Sequence, residues 1–560
     1  MNKKYGFVAF VVLLGLAYTS SVLAGSLPSG AGALSTPAQD PGNAVVVGQP
    51  VAPREFRGDL RQLPQVKPTN THEQHPLLLP NNEPNKQPAA NSPAPLPQTQ
   101  TPTQNMPGLL TNFKGLDFDT WGAGHPPDTV GDVGPNHYIQ AVNSAVGIFS
   151  KTGTLLAAFN FDELWASSGS GTPCDSSNQG DPTVLYDPLA DRWIVADFAW
   201  TDTQNGPYYE CFAASKTSDP VSGGWWLHAI RADDADHPWL ADYPKMGLWP
   251  DGIYMSANMF DCLNSSCGSY TYKGVRTWAF NRSQMESGAE VQFVFKDLSA
   301  SYFSLLPSNF RGSLPPNGAP NYFVSKYFWV SGMDVWKFHV DWITPANSTL
   351  SAPSLVTIAS YSVPPDTIPQ LVGDELDSLG DRLMMQNQYR NIGGTESLWL
   401  THTAGSGGVT GIRWYQLNVT GSAVVSLPVQ SGTYQPDENY RWMPSLAVDQ
   451  AGNMAIGYSV SSGSMYPAIR YAGRLANDTL GTLGQGETTL IAGTGAQDGG
   501  FGRWGDYSAM TVDPVDDCTF WYTNEYYETT GNDWQTRIGS FKFPSCGSDI
   551  FRIYLPLVNR

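Results

Sequence analysis

The feature that most narrows the fold of this chain is a hairpin pattern that recurs seven times: a short strand, a turn carrying Asp, Pro, Gly or Asn, then a second strand rich in aromatic and β-branched residues. Its copies are Val133–Val142, Tyr186–Val195, Trp249–Met255, Pro315–Val324, Tyr389–Leu400, Val448–Ile456 and Val512–Trp521. One turn residue from each (Asn136, Asp187, Asp251, Asn317, Asn391, Asp449, Asp513) returns roughly every sixty residues, enough for four strands with generous outer loops. Later stretches of the repeats, Gly274–Phe280, Asp334–Val340 and Gly411–Leu417, alternate apolar and polar positions with the two-residue period of a strand. A four-stranded sheet with two apolar faces needs covering on both sides, and repeated sheets cover one another when they pack radially. The expected fold is therefore all-β: a seven-bladed β-propeller over residues 113–546, with Phe113–Phe118 donated to the last blade as a clasp. Separate β-sandwiches would need about seven strands each and linker composition between them, and no such break occurs in that region.

The two ends read differently. In residues 1–24, Lys3 and Lys4 precede an apolar run from Gly6 to Tyr18, and Val22 and Ala24 supply small residues for cleavage, the pattern of a signal peptide. A retained anchor is the alternative, but the run is short for a span of about 20 residues. The expectation is a secreted protein, extracellular or at the cell surface, with no membrane span after signal cleavage. Residues 25–112 are rich in Pro, Gln and Asn and read as a disordered linker, or else as a pro-segment. Residues 547–560 form a C-terminal tail, either a sorting or docking strand or an ordinary edge strand.

Six cysteines in an exported chain suit disulfides. Their positions in the repeat map pair Cys174 with Cys211, Cys262 with Cys267, and Cys518 with Cys546, the last pinning the chain end to the closing blade. No CxxC spacing occurs and histidines number eight, so a zinc site is disfavoured. The formal net charge of -19 argues against general binding to a phosphate backbone.

Candidate functional residues gather just before the first strands. They are Asp128 and Asp132, Asp181, Asp242, Asp381 and Arg382, Arg441, and Arg503 and Asp506 with Tyr507. In a propeller these positions converge on one mouth of the central channel. Arginines there can clamp a carboxylate or sulfate, and carboxylates can accept sugar hydroxyls or hold a cation such as Ca2+; no other cofactor is implied. The competing reading is structural, with Asp tying down neighbouring N–H groups and Arg pairing with Asp across blades. His137, His339 and His402 lie in strands or their approaches and read as structural. Trp225–Trp226, Trp504 and Tyr526–Tyr527 read as packing between blades before they read as sugar platforms. There is no G-x-S-x-G elbow, H-E-x-x-H helix or Walker loop.

The stretches Pro126–Tyr138 and Arg503–Ser508, the latter followed by Val512-Asp513-Pro514, resemble those of secreted bacterial β-propeller proteins of unassigned activity, described as sialidase-like or neuraminidase-repeat proteins. The likeness covers most of residues 113–546. It implies a propeller and, in a sialidase-like glycoside hydrolase or lyase, a clamp of Arg382, Arg441 and Arg503. Tyr507 or Glu525 would then be the nucleophile and Asp132 or Asp181 the acid/base. The Asp box of sialidases has its nearest approach in Thr530-Gly531-Asn532-Asp533-Trp534. The reading put first is a non-catalytic, monomeric binding module for extracellular polysaccharide or protein; the hydrolase is the alternative, and a surface-layer component is a third.

Overall fold

The computed structural model describes residues 42–65, 73–74, 77–80, 97–99, 102, 104–326 and 331–547. All belong to one compact unit, Ala38–Arg560. The signal-peptide expectation and nearly all of the C-terminal tail lie outside the described residues.

From Val130 to Lys542 the chain is a succession of antiparallel sheets in which consecutive strands pair. Each sheet is named here by the residue that opens it. The Val130 sheet contains Val130–Val133, His137–Val142, Ala145–Ser150 and Leu155–Asn160. The Asn178 sheet opens with Asn178–Asp187 and ends with Trp225–Arg231; the Leu240 sheet opens with Leu240–Trp249 and ends with Phe293–Leu298. The Leu306 and Met384 sheets open with Leu306–Phe310 and Met384–Ile392, which pair in parallel through Ser308–Phe310 and Asn387–Tyr389. The Tyr440 sheet opens with Tyr440–Val448, and the Ala509 sheet with Ala509–Val512. Each expected hairpin pairs the first two strands of one of these sheets.

Every opening strand packs on the opening strand of the next sheet, and Ala509–Val512 packs on Val130–Val133. The result is a β-propeller. Between the sheets lie large side chains with almost no exposure, among them Trp193, Trp249, Trp278, Trp336, Trp414, Trp442, Trp504 and Trp534. Trp225, Tyr526 and Tyr527 are buried with them, as packing residues.

Opening strands whose edges face one another at an angle cannot all exchange ladder hydrogen bonds, yet their buried N–H groups need acceptors. Side chains supply them. Asp132 accepts from the Tyr186 N–H at 2.8 Å, Asn309 from Leu248 at 3.1 Å, Gln388 from Val448 at 2.5 Å, and Ser445 from Met510 at 2.8 Å. Each contact bridges neighbouring sheets.

The Ala509 sheet contributes only three strands of its own, and its fourth comes from the front of the repeat region. Thr111–Asp117 pairs antiparallel with Gln535–Lys542. This is the expected clasp, beginning slightly earlier, while Phe118 starts the short helix Phe118–Trp121.

Several short pieces of the segment expected as a disordered linker pair with the sheets, while residues 84–95, whose composition suggested it, lie outside the described residues. Val46–Val47 adds to the outer strand Phe293–Leu298, Arg54–Phe56 to Trp225–Arg231, and Gln104–Asn105 to Gln485–Ile491. Isolated bridges join Ala44 to Thr349 and Gln98 to Tyr434. The physical reason is that an outer edge strand offers unpaired main-chain groups, so a polar extended segment needs few apolar anchors to dock there. Phe56, Leu60, Leu78 and Met106 are those anchors, all buried.

All three disulfides form as the spacing suggested, Cys174–Cys211, Cys262–Cys267 and Cys518–Cys546. Among the described residues no helix is long and apolar enough to cross a membrane.

Leu116 of the clasp is buried, with its side chain close to Gly147 of the Val130 sheet. Leu116→Ala should lower the unfolding free energy by about 3 kcal/mol, read from urea melts followed by tryptophan fluorescence.

Candidate functional site

Three opening strands carry the same local device. Asp181-Pro182, Tyr243-Pro244 and Met443-Pro444 sit at breaks in strand register, between Gly180 and Thr183, Asp242 and Lys245, and Trp442 and Ser445. The residue before each proline has positive φ, +47°, +58° and +49°. Proline is harmless in such a bulge, where no ladder N–H is required, and the bulge re-aims the side chains around it. A left-handed residue before proline stores strain of order 1–3 kcal/mol, which the surrounding contacts must offset. Asp128, at φ +49°, occupies the matching position before Val130.

Asn143 joins the first two of these sites. Its amide nitrogen donates to Asp128 at 2.7 Å, and its amide oxygen accepts the Asp181 N–H at 2.7 Å. Gly180 has φ +125°, and a Cβ there would lie 2.6 Å from Asn143 Oδ1, so only glycine lets the amide reach both partners. Asp128 also accepts the Asp506 N–H at 2.7 Å. Tyr507 donates its hydroxyl to Asp181 at 2.9 Å, and Lys245 Nζ lies 3.1 Å and 3.3 Å from the ring centres of Tyr507 and Tyr243.

The guanidinium groups are held by carboxylates. Arg382 makes a bidentate pair with Asp381 at 2.8 and 2.9 Å and lies over the Tyr243 ring. Arg503 pairs with Asp377 and Asp506. Glu525 accepts the Gly505 N–H at 2.8 Å. Asp128, Asp181, Asp381, Arg382, Arg503, Asp506, Tyr507 and Glu525 are all buried, whereas Asp242 is half-buried.

Two expected members stand apart from this network. Asp132 lies at the far end of its strand, where it pairs with Arg311 and binds the Tyr186 and Val133 N–H groups. Arg441 is gripped by Asp437 and Glu487, four contacts between 2.8 and 3.0 Å. The grouping of Arg441 with Arg382 and Arg503 as one clamp finds no shared partner: each guanidinium binds different carboxylates. Sequence reading missed Lys245, Tyr243 and Asp377. The recurring residue-Pro dipeptide at the start of three repeats was the available signal for the first two.

Burial dominates the electrostatics. It raises Asp128 well above the usual carboxylate range, the Asp506 and Asp181 charges add to that, and Arg503 opposes it. Asp242 is pushed up to about 8, first by burial and then by Asp181. Asp377 rises to about 6 by burial against the pull of Arg503, and Glu525 rises well above its usual range for the same first reason. Burial lowers Lys245 far below the ordinary lysine value although Asp181, Asp506 and Asp128 oppose it; Lys326 falls to about 7. Such a cluster can hold and exchange protons near neutrality and can accept hydrogen bonds from hydroxyls. Among the described residues no three His, Cys, Asp or Glu side chains come together as ligands for a metal ion.

No family model matches this chain, and no curated protein matches it. Solved structures similar to it include a protein of unknown function from Dyadobacter fermentans, with 12% identity, 65% of this chain and 94% of that one covered, and a TM-score of 0.33. An α-L-arabinanase from Penicillium chrysogenum complexed with arabinobiose aligns at 11% identity over 67% of this chain and all (100%) of its own, with a TM-score of 0.34. A Cellvibrio cellulosa α-L-arabinanase complexed with arabinohexaose aligns at 12% identity over 55% of this chain and 94% of its own, with a TM-score of 0.27. Similarity at this level says nothing of activity.

Asp242, Asp377, Asp449 and Glu286 have folded-state values raised to about 8, 6, 6 and 9. The folded chain therefore holds protons that the unfolded chain has released, and the stability this gives is fully present at low pH and lost as pH rises through those values. The Tm should be higher at about pH 5 than at about pH 8, and Asp242→Asn should reduce the difference, both measured by calorimetry.

Proposed function

We propose that the sheets close as a seven-bladed β-propeller and that the protein is an exported, non-catalytic binding module for extracellular polysaccharide or protein. The observation that carries this reading is the pairing at the mouth: Arg382 with Asp381, and Arg503 with Asp377 and Asp506, all buried but the half-buried Asp377. Guanidinium groups already neutralised in this way are structural, Arg503 joining its stretch to Leu376–Asp377, and freeing one for a ligand would leave carboxylates unpaired. Three disulfides fit an oxidising, extracellular setting. The mature module acts as a monomer that offers its broad faces to a ligand.

Affinity electrophoresis against a panel of soluble polysaccharides, run beside a reducing-sugar assay, tests the reading. Retardation without sugar release is expected. Sugar release that survives extensive purification would overturn it.

The second reading, a glycoside hydrolase or lyase working at the mouth, draws on the 2.9 Å hydrogen bond between Tyr507 and Asp181, a hydroxyl and a carboxylate placed to share a proton. In that case Tyr507→Phe and Asp181→Asn should each lower turnover at least 100-fold, about 3 kcal/mol in barrier, with Tm little changed. A binding module predicts the reverse for Tyr507→Phe: no turnover to lose, and destabilisation of about 1–3 kcal/mol from the Asp181 carboxylate that loses a donor.

A further inference from the structure

On the face opposite the mouth, where the first-to-second strand turns lie, a cavity of about 270 Å³ opens between the Met384 and Tyr440 sheets. It is slightly smaller than the roughly 300–1,000 Å³ typical of drug-sized ligands, the size for a single sugar residue.

One wall is Arg474, which has 1% of its surface exposed. Its Nε donates to the Thr482 carbonyl at 3.2 Å and one Nη to the Asp478 carbonyl at 2.8 Å. Its guanidinium lies 5.8 Å from the centre of the Trp414 ring, and among the described residues it forms no ion pair and its other Nη no hydrogen bond. Asp478, the nearest acid, turns its carboxylate to the Leu475 N–H at 2.8 Å. Burial lowers the Arg474 pKa, and the Asp478 charge opposes it. Arg390, the other guanidinium lining the cavity, is by contrast bidentate to Asp517 at 2.7 and 3.0 Å. A buried guanidinium with open donors is a carboxylate receptor.

The remaining wall suits a ring carrying hydroxyls. Trp399 lines the cavity, and its indole N–H has no partner among the described residues. A relay of amides fixes the polar groups beside it: the Gly481 N–H donates to Gln430 at 3.2 Å, Gln430 to Gln416 at 2.7 Å, and Gln416 to Ser397 at 3.0 Å. Locked amides and hydroxyls next to an indole bind sugar hydroxyls and a sugar face at low entropic cost.

We infer that this cleft binds an acidic sugar, a hexuronate residue whose carboxylate meets Arg474 and whose ring lies against Trp399 among the Gln416, Gln430 and Ser397 groups. The ligand class rests on the polysaccharide-binding reading above; the site itself stands on its own geometry, away from the mouth.

Calorimetric titration of the full chain with D-galacturonate, D-galactose and acetate tests it. Galacturonate should bind at least tenfold more tightly than either of the others. Arg474→Gln should abolish that preference. Because Arg474 also holds a loop, a second variant, Ala476→Trp, fills the cavity from its exposed rim and should weaken galacturonate at least tenfold with the Tm unchanged. Equal binding of galactose or acetate, no binding of galacturonate, or binding indifferent to Ala476→Trp would each overturn the site. Retardation by neutral polysaccharides bears on the wider reading alone, so the two can fail separately.

Discussion

The structure depends on how the innermost strands satisfy their main-chain groups. Sheets set radially leave their opening strands side by side but splayed, without a continuous ladder, and a buried N–H left unpaired costs on the order of 1–3 kcal/mol. Asp132, Asn309, Gln388 and Ser445 each hand a side-chain acceptor to a neighbouring strand, and where two opening strands come close enough, at Ser308–Phe310 and Asn387–Tyr389, they pair directly. Polar residues therefore line the axis because the backbone requires them there, before any ligand is considered.

The same logic governs the charges at the mouth. The bulges at Asp181, Tyr243 and Met443 turn polar side chains inward from different sheets, and a crowded group of carboxyls can coexist there only if cations or protons compensate. Arg382 and Arg503 supply the cations, and burial pushes Asp128 and Asp242 upward, toward holding a proton instead. On the opposite face Arg474 donates to carbonyl oxygens and, like Arg413, forms no ion pair among the described residues.

Much of this was legible in the chain. Turn residues such as Asp187, Asp449 and Asp513 punctuate alternating strands strongly enough to place every hairpin, and the cysteines fell within single repeats or at the chain end. Asp128, Asp181 and Asp506 could be expected together because topology sets the starts of the opening strands side by side, whereas Asp132 belongs to the far end of its strand. Their partners could not be read: Arg503 meets Asp377 from another sheet, and Arg441 finds Glu487 far along its own. The residue-Pro dipeptide marked the bulge beside Lys245, but that the lysine lies between two tyrosine rings has no spacing signature. The front segment misled because composition reports the absence of a core, whereas Val46–Val47 and Gln104–Asn105 dock through main-chain groups that every residue carries.

That belt of early residues bears on biosynthesis. Arg54–Phe56 meets Trp225–Arg231, Ala44 meets Thr349, Gln98 meets Tyr434, and Thr111–Asp117 meets Gln535–Lys542, so the pieces of this segment find partners that are made at successive stages, the clasp last of all. The clasp can pair only once the last hairpin has emerged, and until then Thr111–Asp117 must stay extended and unpaired. A polar, proline-rich composition, poor at forming structure alone, keeps the segment before it available for docking.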